Sequence, residues 1–186
     1  MTATKSSSVS VYFSRVGNTD FPQNADAVSS ASLNLKDGEL KGNAQLIAEW
    51  IADEAECETF EIITSDKYPV DYDATVEDAH VEQNKGERPE LTDMPDDLSS
   101  YDTVWLTFPN WWGDLPMPVY SFFDRYDFSG KKIVVFVTHE GSGFSNTINK
   151  IKELEPDANI IEGLSVRGGS VNDNESEIRE WVKDNK

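Results

Sequence analysis

At 186 residues with 11% aromatic side chains, the chain is long enough for one domain with a sizeable core and too apolar to be disordered. Its formal charge of −19 makes nucleic acid and anionic membranes poor partners, leaving solubility, salt adaptation or an acidic docking face as its use. The single cysteine, Cys57, excludes an intrachain disulfide, and no apolar window reaches the length of a membrane span. The expected location is the cytoplasm.

Residues 1–8 carry no apolar stretch and read as a frayed tail. Val9 to Phe13, rich in β-branched and aromatic residues, reads as a buried strand. The turn after it, Ser14 to Thr19, has the small and hydroxylic residues that let backbone N–H groups approach a phosphate. The helix expected behind it is delayed. Residues 20–41 hold Pro22 and no helical period, so they read as an irregular insertion: a lid, a partner surface or a decoration. The helix starts near Gly42, Asn43 and Ala44 and buries Leu46, Ile47, Trp50 and Ile51 on one face. Of two Gly-Asn pairs, Gly17-Asn18 and Gly42-Asn43, the second opens a helix and is favoured for the phosphate.

Thr59 to Ile63 reads as the second strand. A weakly apolar surface helix, Asp73 to Lys85, follows, capped by Asp71 or Asp73 and ended at Gly86. His80 on that helix is read as inert, and Tyr68 and Tyr72 before it as core packing rather than site residues. Residues 87–100 are an acidic connector. Tyr101 to Phe108 and Ile133 to Val137 are continuous apolar runs, the mark of parallel strands buried on both faces. Helices are expected over Pro118 to Tyr126 and Ser145 to Leu154, a fifth strand over Asn159 to Val166, and a terminal amphipathic helix from Ser170 to Lys183. The repeated strand–loop–helix order makes residues 9–186 one doubly wound α/β domain.

Ligands of such sheets sit beyond the carboxyl ends of the strands. Three loops there are chemically distinctive. Ser14 to Thr19 suits a phosphate. Pro109, Asn110, Trp111, Trp112 and Gly113 put two adjacent tryptophans in a turn, which suits a flat ring. Thr138 to Gly143 offers His139, Glu140, Gly141 and Ser142 to polar ring edges. Together they describe an aromatic ring with a phosphate tail. Gly-x-Gly-x-x-Gly, Gly-Lys-Ser/Thr and Gly-x-Ser-x-Gly signatures are absent, the third strand lacks a terminal Asp, and no metal-ligand cluster occurs.

The chain resembles the flavodoxins, in particular those with a Tyr-Phe-Ser-Arg-x-Gly-Asn-Thr opening, a Pro-x-Trp-Trp-Gly loop and a Thr-His-x-Gly-Ser-Gly loop. Here these are Tyr12 to Thr19, Pro109 to Gly113 and Thr138 to Gly143, and the likeness runs from Val9 to Val166. The resemblance implies a five-stranded parallel sheet in order 2-1-3-4-5 with helices on both faces, and one bound FMN. It departs from the pattern at Val16, where a hydroxyl residue is usual, and at the insertion. By position, Ser14 would donate to the phosphate, beside Val16, with the N–H groups of Asn43 and Ala44 after Gly42. One of Trp111 and Trp112 would stack on the ring, and His139 to Ser142 would face its pyrimidine edge. The family implies electron transfer between redox proteins, or alternatively an NAD(P)H-dependent reductase acting on a quinone or similar small acceptor, and the charge of −19 implies a low potential and partners with basic surfaces.

Overall fold

The computed structural model describes residues 7–22 and 32–186. Residues 1–6 of the expected tail 1–8 and the stretch 23–31 of the expected insertion lie outside them, whereas Ser8 of that tail already belongs to the first strand.

Five parallel strands build the sheet: β1 (Ser8–Phe13), β4 (Glu58–Thr64), β6 (Thr103–Pro109), β7 (Lys132–His139) and β8 (Asn159–Arg167). They lie in the order β4-β1-β6-β7-β8, the expected 2-1-3-4-5. The expectation of a five-stranded, all-parallel sheet is nonetheless corrected. A two-residue strand, β5 (Leu91–Thr92), pairs antiparallel with Ile63 and Thr64 and makes a mixed six-stranded sheet. It arises inside the acidic connector, which runs back along the free edge of β4 and covers part of its unpaired backbone.

The second correction concerns the insertion. Leu33–Lys36 (β2) and Glu39–Gly42 (β3) form an antiparallel hairpin that leads straight into α1 (Asn43–Ala55). Its turn is Asp37-Gly38, with positive φ at both residues (54° and 83°). That is the turn whose twist matches paired strands.

Strand side chains alternate between two cores. On one face Val9, Val11, Phe13, Leu106, Phe108 and Val135 pack under α3 (Met117–Arg125) and α4 (Thr147–Leu154). On the other Trp105, Val134 and Phe136 pack under α1 and α5 (Glu175–Asn185), against Ile47, Ile51 and Ile178. Helix α2 (Tyr72–Lys85) is capped by Asp71, whose carboxylate accepts the Ala74 N–H at 2.8 Å, and ends at Gly86 with φ +63°. The terminal stretch starts as a 3-10 helix, Gly168–Asn174, before α5. Among the described residues no helix is long and apolar enough to cross a membrane.

Candidate functional site

The loops after β1, β6 and β7 converge at the carboxyl edge of the sheet, because all three strands are parallel and adjacent. They wall a cleft of about 370 Å³. Trp111, Trp112, Gly113, Asn110, Glu140 and Ser142 line it, as expected from the sequence. So do residues the sequence reading did not assign there: Arg15, Ser32, Tyr72, Thr75, Val76 and Ala79.

The tryptophan loop is a tight turn. Trp111 and Asp114 exchange both backbone hydrogen bonds, each 3.1 Å, and the residues between them have φ of +56° (Trp112) and +74° (Gly113). A bulky side chain at positive φ is costly. Here the turn throws the two indoles to opposite sides. Trp111 wedges edge-on between Phe13 and Tyr68, with ring centroids 5.2 Å from each. Trp112 points outward, 52% exposed, with Nε1–H donating to the Val76 carbonyl at 3.1 Å. Its indole stacks on His80 of α2 at 4.3 Å.

Asn110 ties two loops together. Its Nδ2 donates to the Gly143 carbonyl (3.0 Å) and to Ser145 Oγ (2.8 Å), and its Oδ1 accepts the Gly113 N–H (3.0 Å). Pro109, next to it, is the last residue of β6 and is buried. His139 is the last residue of β7, half-buried and engaged by the protein. Its Nδ1 accepts the Gly141 N–H at 2.8 Å. Burial lowers its pKa and favours the neutral ring. Glu140 beside it lies 3.9 Å from Arg167 Nε, at the exposed rim.

The phosphate half of the expected site is arranged differently from the sequence reading. Asn18 is a buried staple. Its Nδ2 donates to the carbonyls of Ser14 and Ile62, and its Oδ1 accepts from the N–H and hydroxyl of Thr64. Asn43 is buried too, and its backbone N–H, expected to face a phosphate, donates to the Ser32 carbonyl at 3.0 Å. The hairpin causes this by drawing Ser32 across the start of α1. The Gly42 N–H is taken by Gln45 Oε1 at 3.2 Å. Ala44, the second donor expected there, is a buried residue in the first turn of α1. Ser14 Oγ accepts the Val16 N–H at 3.1 Å and lies so near Gly42 that a Cβ there would come within 1.9 Å of it.

Arg15 is the cleft's unusual residue. It is 3% exposed, yet among the described residues no carboxylate pairs with it. One terminal nitrogen donates to the carbonyls of Pro69 (3.3 Å) and Val70 (2.8 Å), and the guanidinium lies against the rings of Phe21 and Tyr72. Burial lowers its pKa.

Buried polar atoms without partners point the same way. Among the described residues they are Arg15 Nε, Thr19 Oγ1, Glu61 Oε1, Thr107 Oγ1, Thr138 Oγ1 and Trp105 Nε1. Buried groups are almost always satisfied. All but those of Trp105 and Glu61 belong to the first loop or to the carboxyl halves of β6 and β7, and Glu61 lies directly under the first loop. A polar ligand across that edge is what such a set lacks, and the residues therefore fit a flat ring with a polar, anionic tail.

A family model described as Flavodoxin matches residues 38–185. Among solved structures, a candidate flavoprotein from Bacteroides uniformis ATCC 8492 aligns with a TM-score of 0.71 at 24% identity, over 96% of this chain and 98% of that one. A flavoprotein from Lactobacillus acidophilus NCFM, crystallised in complex with FMN, aligns with a TM-score of 0.61 at 21% identity, over 92% and 99% of the two chains. A flavodoxin from the Archaea aligns at 0.52 and 13% identity, over 95% and 94%. These structural likenesses establish the fold. No curated protein matches the chain.

Proposed function

The chain belongs to the flavodoxin family, and from that premise we propose that it binds FMN across the carboxyl edge of its sheet and carries electrons at low potential. The observation that carries the reading is the set of unpartnered buried polar atoms gathered along one edge, beside a cleft walled by Trp111, Trp112 and Tyr72. FMN, when bound, supplies one- and two-electron transfer.

The chain's own residues would divide the work. Trp111, Trp112 and Tyr72 offer apolar faces to the ring and keep water from it. Glu140, Gly141 and Ser142, in the loop that His139 and Asn110 pin, offer polar groups to the ring edge. Ser14, Arg15, Val16 and Thr19 surround the phosphate position, with Ala44 at the start of α1 behind them. Arg15 adds a fixed positive charge, and the net charge of −19 adds an opposing field over the whole molecule. That field disfavours the more negative reduced cofactor. A penalty of about 1.4 kcal/mol lowers a one-electron potential by roughly 59 mV.

The test is reconstitution of the full chain with FMN, followed by visible spectroscopy and redox titration. The reading expects a yellow protein whose potentials lie below those of free FMN. A chain that stays colourless with added FMN overturns it. Redox proteins with basic surfaces are the partners this charge suits.

A further inference from the structure

We infer that Glu61 is a proton-binding site linked to the anion held by loop 15–18, so that the chain takes up a proton there as it takes up a phosphate-bearing cofactor. The inference rests on the FMN reading above and goes beyond it.

Glu61 sits in the middle of β4, opposite Tyr12 of β1 in the parallel register. The backbone of Gly17 lies directly on its carboxylate. A Cβ at residue 17 would stand 1.9 Å from Oε1 and 2.6 Å from Oε2. A side chain at residue 17 would force the carboxylate to move, so the loop's main chain rests against it with no side chain between. The two oxygens are served unequally. Oε2 accepts the Tyr12 hydroxyl at 3.2 Å, and Oε1 is buried without a partner. An ionised carboxylate only accepts, and burying its charge with one oxygen lacking a donor costs more than burying the neutral carboxyl.

The surrounding charges do not supply the missing cation. From β1 the facing group is Tyr12, held neutral by burial. From α1 it is Glu49, which is already engaged by Lys41 (2.8 Å) and Gln45 (3.0 Å). From the turn after β4 it is Lys67, whose ammonium donates to the Gly17 carbonyl at 2.7 Å. Among the described residues no cation forms an ion pair with Glu61. Burial, partly offset by Tyr12 and Lys67, already pushes the carboxyl up to about 7.

A phosphate in the loop adds a like charge across the loop's main chain, and this favours the protonated carboxyl further. The complex then holds the proton more tightly than the free chain does. Binding takes up a proton in the window above about pH 7, and affinity falls as pH rises through it. The second ionisation of the phosphate, near about 6, lies below this window.

The experiment measures the Kd of the full chain for FMN and for riboflavin, which lacks the phosphate, from about pH 7 to about pH 9. The expected result is an FMN Kd that rises by up to about tenfold per pH unit in the wild type, against a flat riboflavin profile. Glu61→Gln flattens the FMN profile. Tyr12→Phe, which removes the donor to Oε2, moves the onset to higher pH. Calorimetry of the wild type at about pH 7.5, in two buffers of different ionisation enthalpy, reads net proton uptake with FMN and none with riboflavin. It decides the matter even where a variant does not fold. FMN and riboflavin profiles that coincide, or an FMN profile unchanged in Glu61→Gln, overturn the linkage and leave the cofactor reading standing. Failure to bind either flavin overturns both.

Discussion

The Trp112 indole, which lines the cleft, stacks on the His80 imidazole with centroids 4.3 Å apart and planes 22° apart. Trp112 holds this position from a backbone with φ +56°, in a turn that glycine would fill without strain. Such strained conformations cluster at functional sites.

Trp112→Gly separates stability from binding. The change removes a stack worth about 0.5–1.5 kcal/mol and a hydrogen bond worth about 1 kcal/mol, and relieves about 1–2 kcal/mol of left-handed strain. Thermal or urea unfolding is expected to place the variant within about 1 kcal/mol of the wild type. FMN titration is expected to show a Kd raised by about tenfold, as loss of one stacking face implies. Equal affinity would remove Trp112 from the site.

Asn18→Ala acts in the opposite sense, on the scaffold. It leaves two carbonyls and the Thr64 N–H without this partner in a buried setting, while the Thr64 hydroxyl keeps the Asp66 carbonyl at 2.6 Å. At about 1–3 kcal/mol for each group left unsatisfied, a loss of at least about 3 kcal/mol in urea unfolding is expected. A loss under about 1 kcal/mol would mean that water replaces the staple.

Glu61→Gln changes how stability depends on pH in the free chain. Burial, the largest cause, raises the folded-state pKa of Glu61 from 4.5 to about 7. The folded chain therefore binds this proton more tightly than the unfolded one. The stability it contributes is full below about pH 4.5 and is lost as pH rises through about 7. Glutamine keeps the shape without the charge. The variant is expected to gain on the wild type by about 1–3 kcal/mol between about pH 5 and about pH 8.5, read as parallel urea unfolding series. Parallel profiles would mean that Glu61 titrates normally.

Arg15→Gln removes a buried cation that, among the described residues, forms no ion pair with a carboxylate. With FMN bound, the reduced and more negative cofactor loses that stabilisation. Redox titration is expected to give a more negative potential, by roughly 40 mV for each kcal/mol of lost interaction. An unchanged potential would place Arg15 outside the field of the ring. Because Arg15 also bonds the carbonyls of Pro69 and Val70, some loss of folding stability accompanies the change.

Much of the fold is readable from residue order alone. The runs Tyr101 to Phe108 and Ile133 to Val137 are apolar nearly throughout, as strands of a parallel sheet covered on both faces are, and they form the buried parallel strands β6 and β7. The convergence of their loops follows from that, and Trp111, Trp112, Glu140 and Ser142 do line one cleft. The hairpin at Leu33 to Gly42 was also legible. Asp37-Gly38 between Leu35 and Leu40 is a strong local turn signal inside residues 20–41, which as a whole carry no helical period. Strand β5 was not legible, since two residues carry no period.

What the chain order could not decide is set by contacts between distant segments. Helix α2 looks like a plain surface helix, yet its tertiary position brings Thr75, Val76 and Ala79 to the cleft and His80 to Trp112. Glu61 sits in a strand that alternates, where a carboxylate reads as solvent-facing. Only the folding of Gly17 over it, from 44 positions earlier in the chain, buries one oxygen without a partner. The Trp-Trp turn was recognisable from its composition, but not that one indole packs inward on Phe13 and Tyr68 while the other faces out. Local composition determines which loops are chemically able to hold a ring and a phosphate. Burial and charge, which depend on what packs from elsewhere, decide which of their atoms remain available to do so.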